Sequence, residues 1–266
     1  MEILIVDDEP VSRAALKTLV EKLPDCRVRE FAEAAAALSW CEANRPAVVI
    51  VGYVMPDLNG IEFTRAFRKL AGAADIPVLM VTANTDRDVR NQAFEIGVND
   101  FLNKPYDSVE LQTRVANMLA LGSKQSYSQH APVRHQESSK TGVAQPQRLD
   151  LLLDLDLTRK RLADDETLLR HVARVFVRTV PELLNAVRTA LAANDSERAY
   201  AEAHSLKGAV AVFEAPRVLE AIVAVEAHAN NYNAAGAQSA FVAAQALVER
   251  LASELSLMYP QDSRAA

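Results

Sequence analysis

The sequence predicts two folded parts of different class: an α/β part with a doubly wound, five-stranded parallel sheet over residues 1–121, and an all-α four-helix bundle over residues 149–260. Three observations predict this. Short β-rich runs alternate with helical patterns in the first part. Apolar residues recur at helical spacing, with almost no β-branched alternation, in the last part. Between them, residues 122–148 are rich in Ser, Gln and His, contain two prolines and show no apolar period, as a flexible linker does.

The strands are predicted at Glu2–Val6, Cys26–Phe31, Ala47–Val51, Pro77–Thr82 and Val98–Asn103, with helices in the gaps. The runs AVVIV and PVLMV are continuously apolar, which suits strands buried on both faces of a parallel sheet. A linker of this length reaches roughly 30 Å on average, enough for the flanking parts to touch or separate. In the last part, Asp164 or Asp165 is placed to cap a helix whose residues Leu168, Leu169, Val172, Val175 and Phe176 share one face. Three more helices are predicted at Glu197–Phe213, Pro216–Ala229 and Ala237–Met258, giving an antiparallel bundle.

Composition excludes several function classes. A net charge of −6 and a pI near 5.5 give no basic face for nucleic acid. No apolar run approaches the roughly 20 residues that cross a bilayer, and the first residues lack a signal-peptide pattern, so no membrane insertion and a cytoplasmic location are expected. Cys26 and Cys41 are too few for a disulfide framework or a metal site.

Ligands of such sheets bind outside the carboxyl ends of the strands. Asp7 and Asp8, Gly52, Thr82 and Lys104 stand there. Two adjacent acids make a hard oxygen site for a divalent ion, although one of them capping the helix after Pro10 explains the pair equally well. The ensemble is more specific. VDDE, GYVMPDLNGIEF, VTAN and DFLNKPYD each close a different predicted strand, and together they resemble the receiver domain of two-component response regulators, a flavodoxin-like fold. That resemblance implies Mg²⁺ binding by Asp7 and Asp8, a phosphoryl-contacting hydroxyl at Thr82, and a reorienting aromatic residue at Phe101. It also implies a charge-neutralising ammonium at Lys104, followed by a cis bond to Pro105.

The phosphoacceptor does not carry over. The position four residues before the proline of the Met-Pro pair is Gly52, which has no nucleophile. Asp57, beyond Met55-Pro56, is a poor substitute, since a misplacement of order 1 Å can cost a hundredfold in rate. Losing one carboxylate also weakens cation binding, because two unit charges 4 Å apart interact by about 4 kcal/mol at an effective dielectric of 20. Feeble Mg²⁺ affinity is expected. Gly52 is either native, which makes this a receiver that acts by docking, or an introduced replacement of an acceptor aspartate.

In the stretch Glu197–Phe213, Ala199, Ala203, Leu206, Val210 and Phe213 cluster on the core side. His204 points to the opposite side, predicted to face solvent, with Ala201, Gly208 and Ala211 beside it. Glycine there costs about 1 kcal/mol relative to alanine, so a bare stripe suggests close approach of another molecule. Lys207, three residues on, lies next to His204 on that surface. The sequence AHSLKGAV from Ala203 to Val210 closely resembles the phosphoacceptor helix of histidine-containing phosphotransfer (Hpt) domains, with Glu214 departing from the usual glycine. The resemblance implies that His204 accepts and donates phosphoryl groups, assisted by Lys207 and Gly208. His171 and His228 lie outside the motif.

The resulting expectation is a phosphorelay protein with an atypical receiver that regulates or docks on the Hpt domain. Its partners would be sensor histidine kinases and receiver domains, and no nucleotide-binding motif suggests kinase activity of its own. The alternatives are an interaction-only inhibitor of a kinase or receiver, and an ordinary two-site relay protein in which Gly52 replaces the acceptor.

Overall fold

The computed structural model describes residues 1–56, 58–82, 87–122 and 152–260. Asp57 and the linker stretch beyond Gly122 lie outside the described residues.

The first part is the predicted parallel sheet. Its strands β1 (Glu2–Val6), β2 (Arg27–Phe31), β3 (Val48–Gly52), β4 (Val78–Thr82) and β5 (Asp100–Asn103) lie in the order β2-β1-β3-β4-β5. Every residue of β3 and β4 is buried, as their unbroken apolar runs require. Alternate side chains feed two layers. Ile3, Ile5, Val48 and Ile50 face α1 (Pro10–Glu21) and α5 (Ser108–Gly122). Leu4, Val6, Val49 and Val51 face the layer of α2 (Ala34–Ala43) and α3 (Gly60–Phe67). Helix α4 (Arg87–Glu95) contributes Ala93 to that second layer.

Local chemistry sets the element ends. Asn59 and Glu62 form a reciprocal capping box at α3. Gly60 is required there, because a Cβ would stand 2.4 Å from the Gly52 carbonyl oxygen. The helix after Pro10 is capped by Glu9 rather than by Asp7 or Asp8: its carboxylate accepts from the Val11 and Ser12 amides.

The second part holds α7 (Glu166–Ala192), α8 (Ser196–Ala211), α9 (Pro216–Asn230) and α10 (Ala234–Met258), the four helices expected. A short α6 (Leu155–Arg161) precedes them and was not anticipated as a separate element. Asp165, not Asp164, caps α7; Asp164 sits in the left-handed region at φ 52° and ends the turn before it. Asp195 and Asn233 cap α8 and α10. Glu214, the departure in the motif, follows α8, pairs with Arg161 and holds α6 against the bundle, with its amide donating to Thr158 Oγ1 at 3.0 Å. Phe176 and Phe213 meet edge to face at 5.1 Å in the core.

The two parts touch. Helix α1 packs across α7 and α8, and one apolar cluster runs from the sheet through α1 into the bundle. Lys22, which ends α1, reaches Asp165, the cap of α7, at 2.7 Å.

Candidate functional site

The carboxyl ends of β1, β3 and β4 and the start of the loop after β5 meet at one point. Asp7 is buried and fully engaged: Oδ2 accepts from Lys104 Nζ at 2.9 Å and Ser12 Oγ at 2.8 Å, and Oδ1 accepts from the Glu9 amide at 3.0 Å. Burial and the neighbouring Asp7 push Asp8 up to about 6 and Glu9 up to about 8. Burial alone would lower the Lys104 ammonium, but Asp7 and Glu9 outweigh it and lift its pKa. The site therefore has one ammonium facing three acids. The peptide joining Lys104 to Pro105 is cis.

Thr82 is buried at the end of β4 and Gly52 ends β3. A Cβ at Gly52 would stand 3.6 Å from Asp7 Cγ, Asp7 Oδ2 and Met55 Cγ, which is ordinary contact, so local space does not demand glycine. Phe101 lies further off. It is packed inward from β5, edge-on to Phe94 at 5.0 Å and beneath the Arg90 guanidinium at 5.3 Å.

His204 lies on the side of α8 away from the bundle core, but it does not face solvent. Only 11% of its side chain is exposed. The bare stripe is covered instead: Gly208 and Ala211 are buried, and the Gly208 backbone lies against Glu9 and Lys104. Small residues leave the same helical signature whether water or a folded neighbour occupies the face, and here the neighbour is the strand-end cluster. Ser205 donates to Asp8 Oδ2 at 3.1 Å. His204 lines one small cavity, with room for about one water, together with Asp7, Asp8, Gly52, Thr82 and Lys104.

Behind the imidazole, on α9, stands Glu226. One carboxylate oxygen lies 2.8 Å from His204 Nδ1 and the other accepts from Lys207 Nζ at 2.5 Å. Burial pulls His204 below the ordinary imidazole value, so the ring is neutral near pH 7 despite the carboxylate. Burial would raise Glu226, but His204 and Lys207 outweigh it and hold it ionised. An ionised acceptor at Nδ1 fixes the proton there and leaves Nε2 with its lone pair. Lys207 is thus tied to Glu226 beside the ring. His171 is exposed, and His228 is part-buried against Asn233 at 3.2 Å.

Asp7 and Asp8 offer carboxylate oxygens suited to a hard divalent cation, and Asp8 is raised by its burial first and by the charge of Asp7 second. They fit such an ion one carboxylate short: among the described residues no group of three His, Cys, Asp or Glu side chains gathers around a point. Also among the described residues, no helix is long and apolar enough to cross a membrane.

Two participants escaped the sequence reading. Glu226 is 22 residues from His204 on another helix, and no local spacing joins them. Glu9 follows the acidic pair directly, and its signal was its place one residue before Pro10, where a helix cap belongs.

Comparison with known proteins divides the chain in the same way. The family model for the response regulator receiver domain matches residues 3–116, and the model for the Hpt domain matches residues 171–256. The cyclic di-GMP phosphodiesterase response regulator RpfG of Xanthomonas campestris is 40% identical over 122 residues, covering 46% of this chain and 32% of RpfG. The chemotaxis protein CheY of Pseudomonas aeruginosa is 32% identical over 115 residues, covering 43% of this chain and 93% of CheY. Several curated relatives are longer proteins, of which the chain spans 32% to 53%. Among solved structures, the receiver domain of a Pseudomonas aeruginosa sensor histidine kinase, with magnesium in its active-site cleft, is 28% identical at a TM-score of 0.42. The match covers 45% of this chain and 97% of that one.

Proposed function

The chain belongs to the response regulator receiver family and carries an Hpt domain in its second half, and on that premise we propose a phosphorelay protein that accepts and donates a phosphoryl group at His204. The observation that carries this reading is the His204–Glu226–Lys207 arrangement: a neutral imidazole with Nδ1 tied to an ionised carboxylate and an ammonium alongside. The partners are a sensor histidine kinase and receiver domains carrying an acceptor aspartate.

The chemistry follows from that geometry. His204 Nε2 attacks the phosphorus of an aspartyl phosphate on a partner receiver. The N–P bond forms as the acyl O–P bond breaks, and the aspartate carboxylate leaves with the bonding pair. Positive charge developing on the ring is met at Nδ1 by Glu226, in the manner of a carboxylate supporting a catalytic imidazole. Fixed charge on Lys207 offsets the phosphoryl oxygens. The reverse attack passes the group on. Gly52 offers no acceptor, so phosphate does not move from residue 52 to His204 within the molecule.

The receiver-like domain regulates by covering. It lies across α8 through Ser205 and Gly208, and a partner receiver needs that same face, so opening precedes transfer. A divalent cation held by Asp7 and Asp8 would offset charge at the strand ends; with two carboxylates it binds weakly.

The test is incubation with a phosphorylated receiver or hybrid kinase. Base-stable, acid-labile label should appear on the wild type and vanish in His204→Gln. Absence of label with every competent donor overturns the relay reading in favour of an interaction-only inhibitor.

A further inference from the structure

We propose that one buried water molecule latches the two domains together, held between the Tyr106 hydroxyl of the receiver-like domain and Arg161 Nη1 of α6, with Glu214 anchoring the arginine. The inference rests on the reading that the receiver-like domain regulates by covering His204.

The site is a second small cavity between the domains. Ala15, Leu19 and Tyr106 line it from one side, and Arg161, Leu162 and Ala211 from the other. It has room for about one water. Two buried polar atoms of that lining, the Tyr106 hydroxyl oxygen and Arg161 Nη1, have no hydrogen-bond partner among the described residues. Folded proteins rarely leave such atoms orphaned, because their desolvation is then uncompensated.

The polar neighbours on the receiver side are engaged elsewhere. Ser12 Oγ gives its proton to Asp7 Oδ2, and Lys104 Nζ donates to the same oxygen. A guanidinium can only donate, whereas a water both accepts and donates. One water therefore accepts from Arg161 Nη1 and donates to the Tyr106 oxygen, satisfying both atoms across the domain boundary.

The arginine is itself held in place. Its Nη2 pairs with Glu214, the residue that departs from the glycine of the Hpt motif, and the Glu214 amide is tied to Thr158 Oγ1 at 3.0 Å. Glycine at position 214 would leave Arg161 without that anchor. The departure thus gains a use on the side of the bundle that meets the receiver-like domain.

Two variants test the latch in the full chain. Tyr106→Phe removes the hydroxyl, and Arg161→Lys keeps a cation for Glu214 but has no second nitrogen to donate. Diethylpyrocarbonate modification of His204, with exposed His171 as reference, reads opening of the domains. Each single variant should raise the His204 rate about five- to tenfold, the scale of one net hydrogen bond, and the double variant should go no further than either. Oxygen-17 relaxation dispersion, which counts waters of long residence, should lose one in Tyr106→Phe. Rates that multiply in the double variant, an unchanged rate in Tyr106→Phe or an unchanged water count overturns the latch. A wild-type His204 as reactive as His171 overturns the covering reading instead.

Discussion

Gly208 separates the cost of a glycine in a helix from its use at a contact. It sits within α8 with its backbone against the receiver-like domain: a methyl group there would stand 3.5 Å from Glu9 Cγ and 3.8 Å from Lys104 Nζ. Both are ordinary contacts, so Gly208→Ala fits without parting the domains. It should gain about 1 kcal/mol of helix propensity and raise the unfolding midpoint by about 2–4 °C. Leucine extends three further carbons into the same neighbours. Overpacking of that kind costs about 1–3 kcal/mol. If separation of the domains relieves it, the opening equilibrium shifts by about 5- to 150-fold, and His204 gains exposure in proportion. Diethylpyrocarbonate modification of the His204 peptide, followed by mass spectrometry with exposed His171 as internal reference, reads that shift. Alanine should leave the His204 rate unchanged and leucine should raise it into that range. Equal protection of His204 in wild type and Gly208→Leu, at an unchanged His171 rate, would show that crowding at residue 208 does not part the domains.

Two further outcomes follow from the ion pairs. Lys22 and the Leu168 amide hold the Asp165 carboxyl below its usual range. The stabilisation it brings is therefore present above the unfolded value of about 3.9 and is lost as pH falls through the lower folded value. Asparagine still caps a helix, so Asp165→Asn should cost at most about 1 kcal/mol at pH 7, and thermal unfolding from pH 7 down to pH 2 should show the difference disappearing at the acid end. A difference independent of pH would contradict the pairing. In Glu226→Gln, burial would act on His204 without an opposing carboxylate, so the imidazole titration followed by NMR should move further below its wild-type position. Phosphorylation from a partner receiver should slow about tenfold, the scale of one charge-assisted hydrogen bond; an unmoved titration would remove Glu226 from its positioning role.

Most of the architecture was legible because it rests on burial that sequence displays directly. VVIVG and VLMVT are apolar throughout because both sheet faces are covered, and their ends placed Gly52 and Thr82 correctly in the chain. Helix ends were legible to within a few residues: starts expected at Glu197, Pro216 and Ala237 stand at Ser196, Pro216 and Ala234. The seven-residue α6 was not, because LDLTRKR is too short to establish an apolar period. At the site, helical phase put His204 outside the bundle core, which holds, and in water, which does not. Phase defines direction from a helix axis but carries no information about what lies in that direction. The pairing with Glu226 depends on the packing of α8 against α9, a tertiary fact that no interval along the chain records.

Whether the receiver-like domain sits over His204 can be tested most directly at the edge of the contact, where Lys22 Nζ and Asp165 Oδ2 are 2.7 Å apart. A zero-length carbodiimide reagent joins only groups that already touch. Peptide mapping should recover an amide between residues 22 and 165 in yield independent of protein concentration, alongside the Lys17–Glu30 amide from a pair 3.2 Å apart within the receiver-like domain. Recovery of the 17–30 link without the 22–165 link would contradict the covered arrangement on which the account depends.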